Sequence, residues 1–202
     1  MIQEELQEVL SELINISFGT ATATIADLFD NFATLHVPDI SFIAMDDLHK
    51  FILNHFNCQQ VYTTTQQFKG RFQGEIVFAM DPQSALNMQG IIFSDEDLGG
   101  AALLSQDEIK QSILEISNIL GSSCLGKLAQ LLDTTITFAP PAIEFSQNLL
   151  KTPAQMPYQH VIVISTVLDF NAMEIRGNLF IMCTDEMFSW LETALEDYLE
   201  NL

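Results

Sequence analysis

The pair Glu-x-x-Asn occurs twice in this chain, as Glu12 with Asn15 and as Glu115 with Asn118. The two copies stand 103 residues apart. Each is followed by a proline, Pro38 or Pro141, with 22 residues between the asparagine and the proline. A motif repeated together with its spacing limits the possible folds. The chain must contain two similar halves, and each half must present its pair in the same way.

Both pairs fall inside helical patterns. Leu6, Leu10, Leu13, Ala21, Ile25 and Leu28 recur at helical spacing, as do Ile109, Ile113, Ile116, Leu120, Leu128 and Leu131. At about 100° per residue, Glu and Asn of each pair fall opposite the apolar stripe. Residues three apart on a helix are neighbours, about 5–6 Å between Cβ atoms, so a carboxylate stands beside a carboxamide on an exposed face. Four residues after each Asn comes a small residue, Gly19 or Ser122, which leaves room for another molecule. Glu and Asn on a polar helix face are usually only solvated. Asparagine is a poor helix former, however, costing up to about 0.7 kcal/mol relative to Ala. Its recurrence at matched mid-helix positions points to use.

The repeat extends through the chain. The spacing predicts a helix over 3–30, a β-rich stretch over 34–45 and a short helix over 47–55 capped by Asp46 or Asp47. Strands follow at 60–68 and 71–80, turning at Lys69-Gly70. A helix from Pro82 is capped by Asp81, and a Gly-containing linker covers 95–102. The order then recurs. A long helix over 105–132 opens with Ser105 and Glu108 as a capping box. Strand character returns at 134–145, a loop or short helix at 146–157, strands at 160–169 and 173–183 turning near 170–172, and a last helix at 185–202. Gly74 and Gly177 keep the offset of 103. Repeats 1–98 and 104–202 thus predict a single pseudo-twofold α+β domain over 1–202. It has a mostly antiparallel sheet with two long helices packed on it.

Composition narrows the function. Seven basic and 27 acidic residues give a formal charge of −20, which argues against nucleic acid and against anionic membrane surfaces. No run of 18 apolar residues suggests a membrane span, and the acidic start MIQEELQEVL does not read as a signal peptide, so a cytoplasmic location is expected. Cys58, Cys124 and Cys183 form no CxxC, and His36, His49, His55 and His160 have no ligand spacing, so no metal site or cofactor is expected.

Taken together, the two motifs resemble the signature of the CheC-type chemotaxis phosphatases, the family of CheC, CheX and FliY. That signature is Asp/Ser-x-x-x-Glu-x-x-Asn, then 22 residues, then Pro. Glu12-Asn15-Pro38 and Glu115-Asn118-Pro141 match it across both halves, whereas Glu8 and Gln111 stand where the family shows Asp or Ser. Two complete motifs make the chain more similar to CheC than to CheX, which has one. The resemblance implies a phosphatase acting on the aspartyl phosphate of a CheY-like response regulator, with Mg²⁺ supplied by the regulator. It implies that Asn15 and Asn118 position the attacking water, and that Glu12 and Glu115 dock on a regulator lysine. Phosphoryl transfer needs mainly positioning and electrostatics, which suits these groups. A second reading is a non-catalytic binding module of the chemotaxis and flagellar switch, like the middle domain of FliM or a partner of a CheD-like deamidase.

Overall fold

The computed structural model describes residues 3–28, 33–35, 39–56, 60–92, 105–146, 158–170 and 173–201. The first half runs α1 (Glu4–Leu28), β1 (Ala33–Leu35), β2 (Asp39–Ala44), α2 (Leu48–His55), β3 (Val61–Gly70), β4 (Gly74–Met80) and α3 (Pro82–Ile92). The second runs α4 (Gln106–Leu131), β5 (Ile136–Phe138), β6 (Ala142–Ser146), β7 (His160–Phe170), β8 (Met173–Cys183) and α5 (Asp185–Glu200).

All eight strands join one sheet, ordered β1-β7-β8-β4-β3-β5, with β2 also on β7 and β6 also on β3. Every pairing among them is antiparallel. The halves interlock: β1 and β2 pair with the second half's β7, and β5 and β6 with the first half's β3. The β4–β8 ladder joins the two hairpins at the centre, Gly74 opposite Cys183 and Met80 opposite Gly177. A twofold through the Val77–Phe180 pair exchanges the two glycines, so the fold is α+β and pseudo-twofold. The outer strands keep this symmetry less strictly. Phe145 lies opposite Tyr62, and the position matching Tyr62, six residues before the partner of the hairpin glycine, is His160, which lies opposite Ala44. The strand carrying Phe42 is therefore seated two residues away from that carrying Phe145, a slip that leaves each side chain on its original face.

Sheet alternation creates two cores. Ile76, Phe78 and Met80 point to one face with Leu179 and Ile181, where they meet Leu10, Leu13, Ile113, Leu120 and Leu195 of the helices. Val77, Ala79, Val163 and Phe180 point to the other, under Leu48 and Ile52 of α2. Each fully buried aliphatic or Phe side chain contributes about 1.5–3 kcal/mol of transfer free energy. The expected stripes form the larger core: Leu6, Leu10, Leu13, Ala21 and Ile25 are buried, as are Ile109, Ile113, Ile116, Leu120 and Leu128, with Leu131 partly buried. By length and composition α1 could cross a membrane. Its apolar face, however, lies in this core, and α1 packs along α4.

Several local expectations need correction. The turn between β3 and β4 lies at 71–73, not at Lys69-Gly70. Gly70 stays in the strand opposite Ile136, where a Cβ would collide with the carbonyl of Thr135; its missing side chain serves strand approach rather than turning. Neither Asp46 nor Asp47 caps α2. Met45–Asp47 form a 3₁₀ turn that runs into the helix, and Asp47 is itself helical, with no side-chain bond. The single stretches expected over 34–45 and 134–145 each divide into two strands. Asp81 does cap α3, accepting from Ser84 N at 2.9 Å, and Ser105 with Glu108 forms the capping box of α4. Pro38, Cys58, the linker at 95–102, the loop at 147–157 and the turn residues 171 and 172 lie outside the described residues.

Candidate functional site

The two Glu-x-x-Asn pairs sit in the N-terminal halves of α1 and α4. Glu12 and Glu115 are exposed, and among the described residues neither is paired with a basic side chain. Asn15 and Asn118 are only half-exposed, so the carboxylates reach solvent more fully than the asparagines do. The surface beyond the first pair is smooth. Gly19, Thr20, Ala23 and Thr24 are exposed, and a Cβ built on Gly19 would have nothing within 4 Å. The hydroxyls of Thr20 and Thr24 turn back to the carbonyls of Ile16 and Thr20, at 3.2 and 3.1 Å, and leave their methyl groups outward. Ile16 adds a large apolar side chain, 44% exposed.

The asparagines differ in what lies beneath them. Gln66 of β3 donates from Nε2 to Asn118 Oδ1 at 2.7 Å and to the carbonyl of Ala139 at 2.9 Å. Asn15 Oδ1 is also buried, yet has no hydrogen-bond partner. An unsatisfied buried acceptor costs about 1–3 kcal/mol. The bond from Gln66 turns the carbonyl oxygen of Asn118 inward and leaves its amide nitrogen as the outward group. Asn118 thus offers mainly a donor to whatever approaches it.

Gln66 was not legible as part of the site. The one signal is its place in the alternation Tyr62, Thr64, Gln66, Phe68, where a long polar side chain stands on the core face. Two histidines have their partners elsewhere: His160 Nε2 lies 2.7 Å from Asp185 Oδ1 with its ring stacked on Phe188, and His55 Nδ1 is bonded to the carbonyl of Phe51. Cys124 and Cys183 are fully buried. Burial pushes the Cys124 thiol up to about 12 and that of Cys183 higher still, so neither is a ready nucleophile. Among the described residues no group of three His, Cys, Asp or Glu side chains could hold a metal ion.

No protein-family model matches the chain. Over 211 aligned residues, 96% of this chain and 95% of the other, it is 26% identical to the CheY-P phosphatase CheC of Bacillus subtilis (strain 168). The fold is similar to that of Thermotoga maritima FliY, with a TM-score of 0.75 and 16% identity over 98% of this chain and 99% of that one. It is also similar to FliM of H. pylori, crystallised with SpeE, at a TM-score of 0.64 and 13% identity over 98% of both chains. Along nearly its whole length the chain is thus similar in sequence to a CheC protein, and in fold to FliY and FliM.

Proposed function

We propose that the protein hydrolyses the aspartyl phosphate of a CheY-like response regulator, and that Glu12, Asn15, Glu115 and Asn118 carry the reaction. The observation behind this reading is the duplicated pair itself, with an exposed carboxylate one turn from a half-buried carboxamide on each long helix. A relative 26% identical in sequence is a CheY-P phosphatase. Each glutamate is free to take a lysine of the regulator and lay the helix over the acyl phosphate. The asparagine then donates from its outward nitrogen to the attacking water or a phosphoryl oxygen. Little covalent help is needed, since catalysis of phosphoryl transfer is largely positioning and electrostatic stabilisation. The Mg²⁺ belongs to the phosphorylated regulator and is part of the substrate.

The fold shared with FliM supports a second reading, a switch module that binds its partner without turnover. One experiment separates the two: the phosphate lifetime of candidate regulators with and without this protein. The phosphatase reading predicts a shortened lifetime. Asn15→Ala or Asn118→Ala alone should leave part of the effect, each reducing its own site about 10²–10³-fold, as loss of a positioned donor does. The double variant should lose nearly all of it. Binding without any change in lifetime would favour the switch module.

A further inference from the structure

The bond between Gln66 and Asn118 carries a direction. The carbonyl of Ala139 can only accept, so Gln66 must turn its Nε2 toward it. The same NH₂ group reaches Asn118, so Asn118 must in turn present Oδ1. The outward atom of Asn118 is thereby fixed as its nitrogen. Each participant is itself held. Gln66 is 5% exposed, in β3 opposite Ile76, and Ala139 N donates to the carbonyl of Gln67 at 2.9 Å. Gly121, one turn beyond Asn118, makes the space. A Cβ there would stand 3.0 Å from Ile76 Cδ1 and 3.4 Å from Gln66 Oε1.

The first half has no such arrangement. The residue matching Gly121 at the offset of 103 is Phe18, fully buried. Counted from the paired glycines, the residue matching Gln66 is Ile164, opposite Leu179 and also fully buried. Two apolar side chains thus occupy the places of the glycine and the glutamine, and Asn15 Oδ1 is left without a donor.

A buried glutamine could be only a bridge between sheet and loop, but the bond to Ala139 alone would provide that. We infer that Gln66 is a positioning residue of the second site, which orients the Asn118 amide before the substrate arrives and makes the two sites unequal. The inference rests on the phosphatase reading. In an Asn15→Ala background, which isolates the second site, Gln66→Met keeps the length of the side chain and removes the donor. It should lower kcat about 10–10²-fold, since small misplacements cost this much. KM should hold, because docking belongs to Glu115. With Asn118→Ala already present, Gln66→Met should cost nothing further. If the Met variant does not fold, Gln66→Glu keeps the shape and can accept from Asn118 Nδ2, turning the amide round; it too should lose kcat. Undiminished kcat in the folded variant, or an equal loss without the Asn118 amide, would overturn the inference. A readout independent of activity is side-chain amide hydrogen exchange in the unaltered protein. Protected Gln66 Nε2 protons beside freely exchanging Asn118 Nδ2 protons support the assigned direction, and the reverse pattern overturns it. A protein that shortens no regulator's phosphate lifetime defeats the phosphatase reading, while the exchange pattern still decides how the amide is held.

Discussion

At Gly19 the chain accepts a cost that its own packing does not require. Glycine inside a helix is about 0.5–1 kcal/mol less favourable than alanine, yet the space around Gly19 is empty. On the phosphatase reading, the bare surface it leaves one turn from Asn15 gives the regulator room to approach. Gly19→Ala should therefore raise stability by about 0.5–1 kcal/mol in urea unfolding while weakening regulator binding to the first site. An Asn118→Ala background isolates that site. A variant both more stable and fully active would show that the regulator does not approach this face. Gly121 is the opposite case: buried, with Ile76 and Gln66 already at contact distance, so it serves internal packing. Although both glycines sit near an asparagine in sequence, only the neighbouring strand decides which faces a partner and which faces the core.

Among the elements, α4 has the better-defined start. Ser105 Oγ and the backbone N of Ser105 both donate to Glu108 Oε2, at 2.8 and 2.7 Å. These bonds hold the Glu108 carboxyl below its ordinary value. A lowered carboxyl contributes stability that is fully present above the unfolded-state pKa and is lost as pH falls through the folded one. Ser105→Ala should thus cost about 0.5–2 kcal/mol near neutral pH, with the difference from the unaltered protein narrowing in acid. Urea midpoints across that range check both statements; a difference independent of pH would mean that the carboxylate takes no part. This cap was legible because both of its residues lie within four positions and the signal is local. The long helices and hairpin strands were legible for the same reason, since their periodicities of 3.6 and 2 are set by each segment alone. The turn at 71–73 was missed because Gly70 answers to Thr135 of another strand. The Asp47 cap failed because a 3₁₀ turn already continues the chain into α2. Gln66 could not be assigned to Asn118, 52 residues away, before the sheet had placed β3 beneath α4.

Over the whole molecule, neither half completes its own sheet. The hairpin of β3 and β4 is flanked on one side by β5 and β6 and on the other by β8, all from the second half. The second hairpin likewise depends on β1, β2 and β4. An isolated half would expose two long strand edges rich in Thr, Val, Ile and Phe, the kind of surface that aggregates. It would also lose half of the core that Phe78, Leu179 and the long helices build across the central ladder. We therefore expect the 202 residues to unfold in a single cooperative step despite the internal repeat. Chains of residues 1–98 and 104–202 expressed separately should each lack a sigmoidal urea transition and near-ultraviolet dichroism. Mixed or co-expressed, they should recover both and copurify, because the pairings that join them are those of the native sheet. A half that gave its own sharp transition would show that the repeat is two domains placed edge to edge.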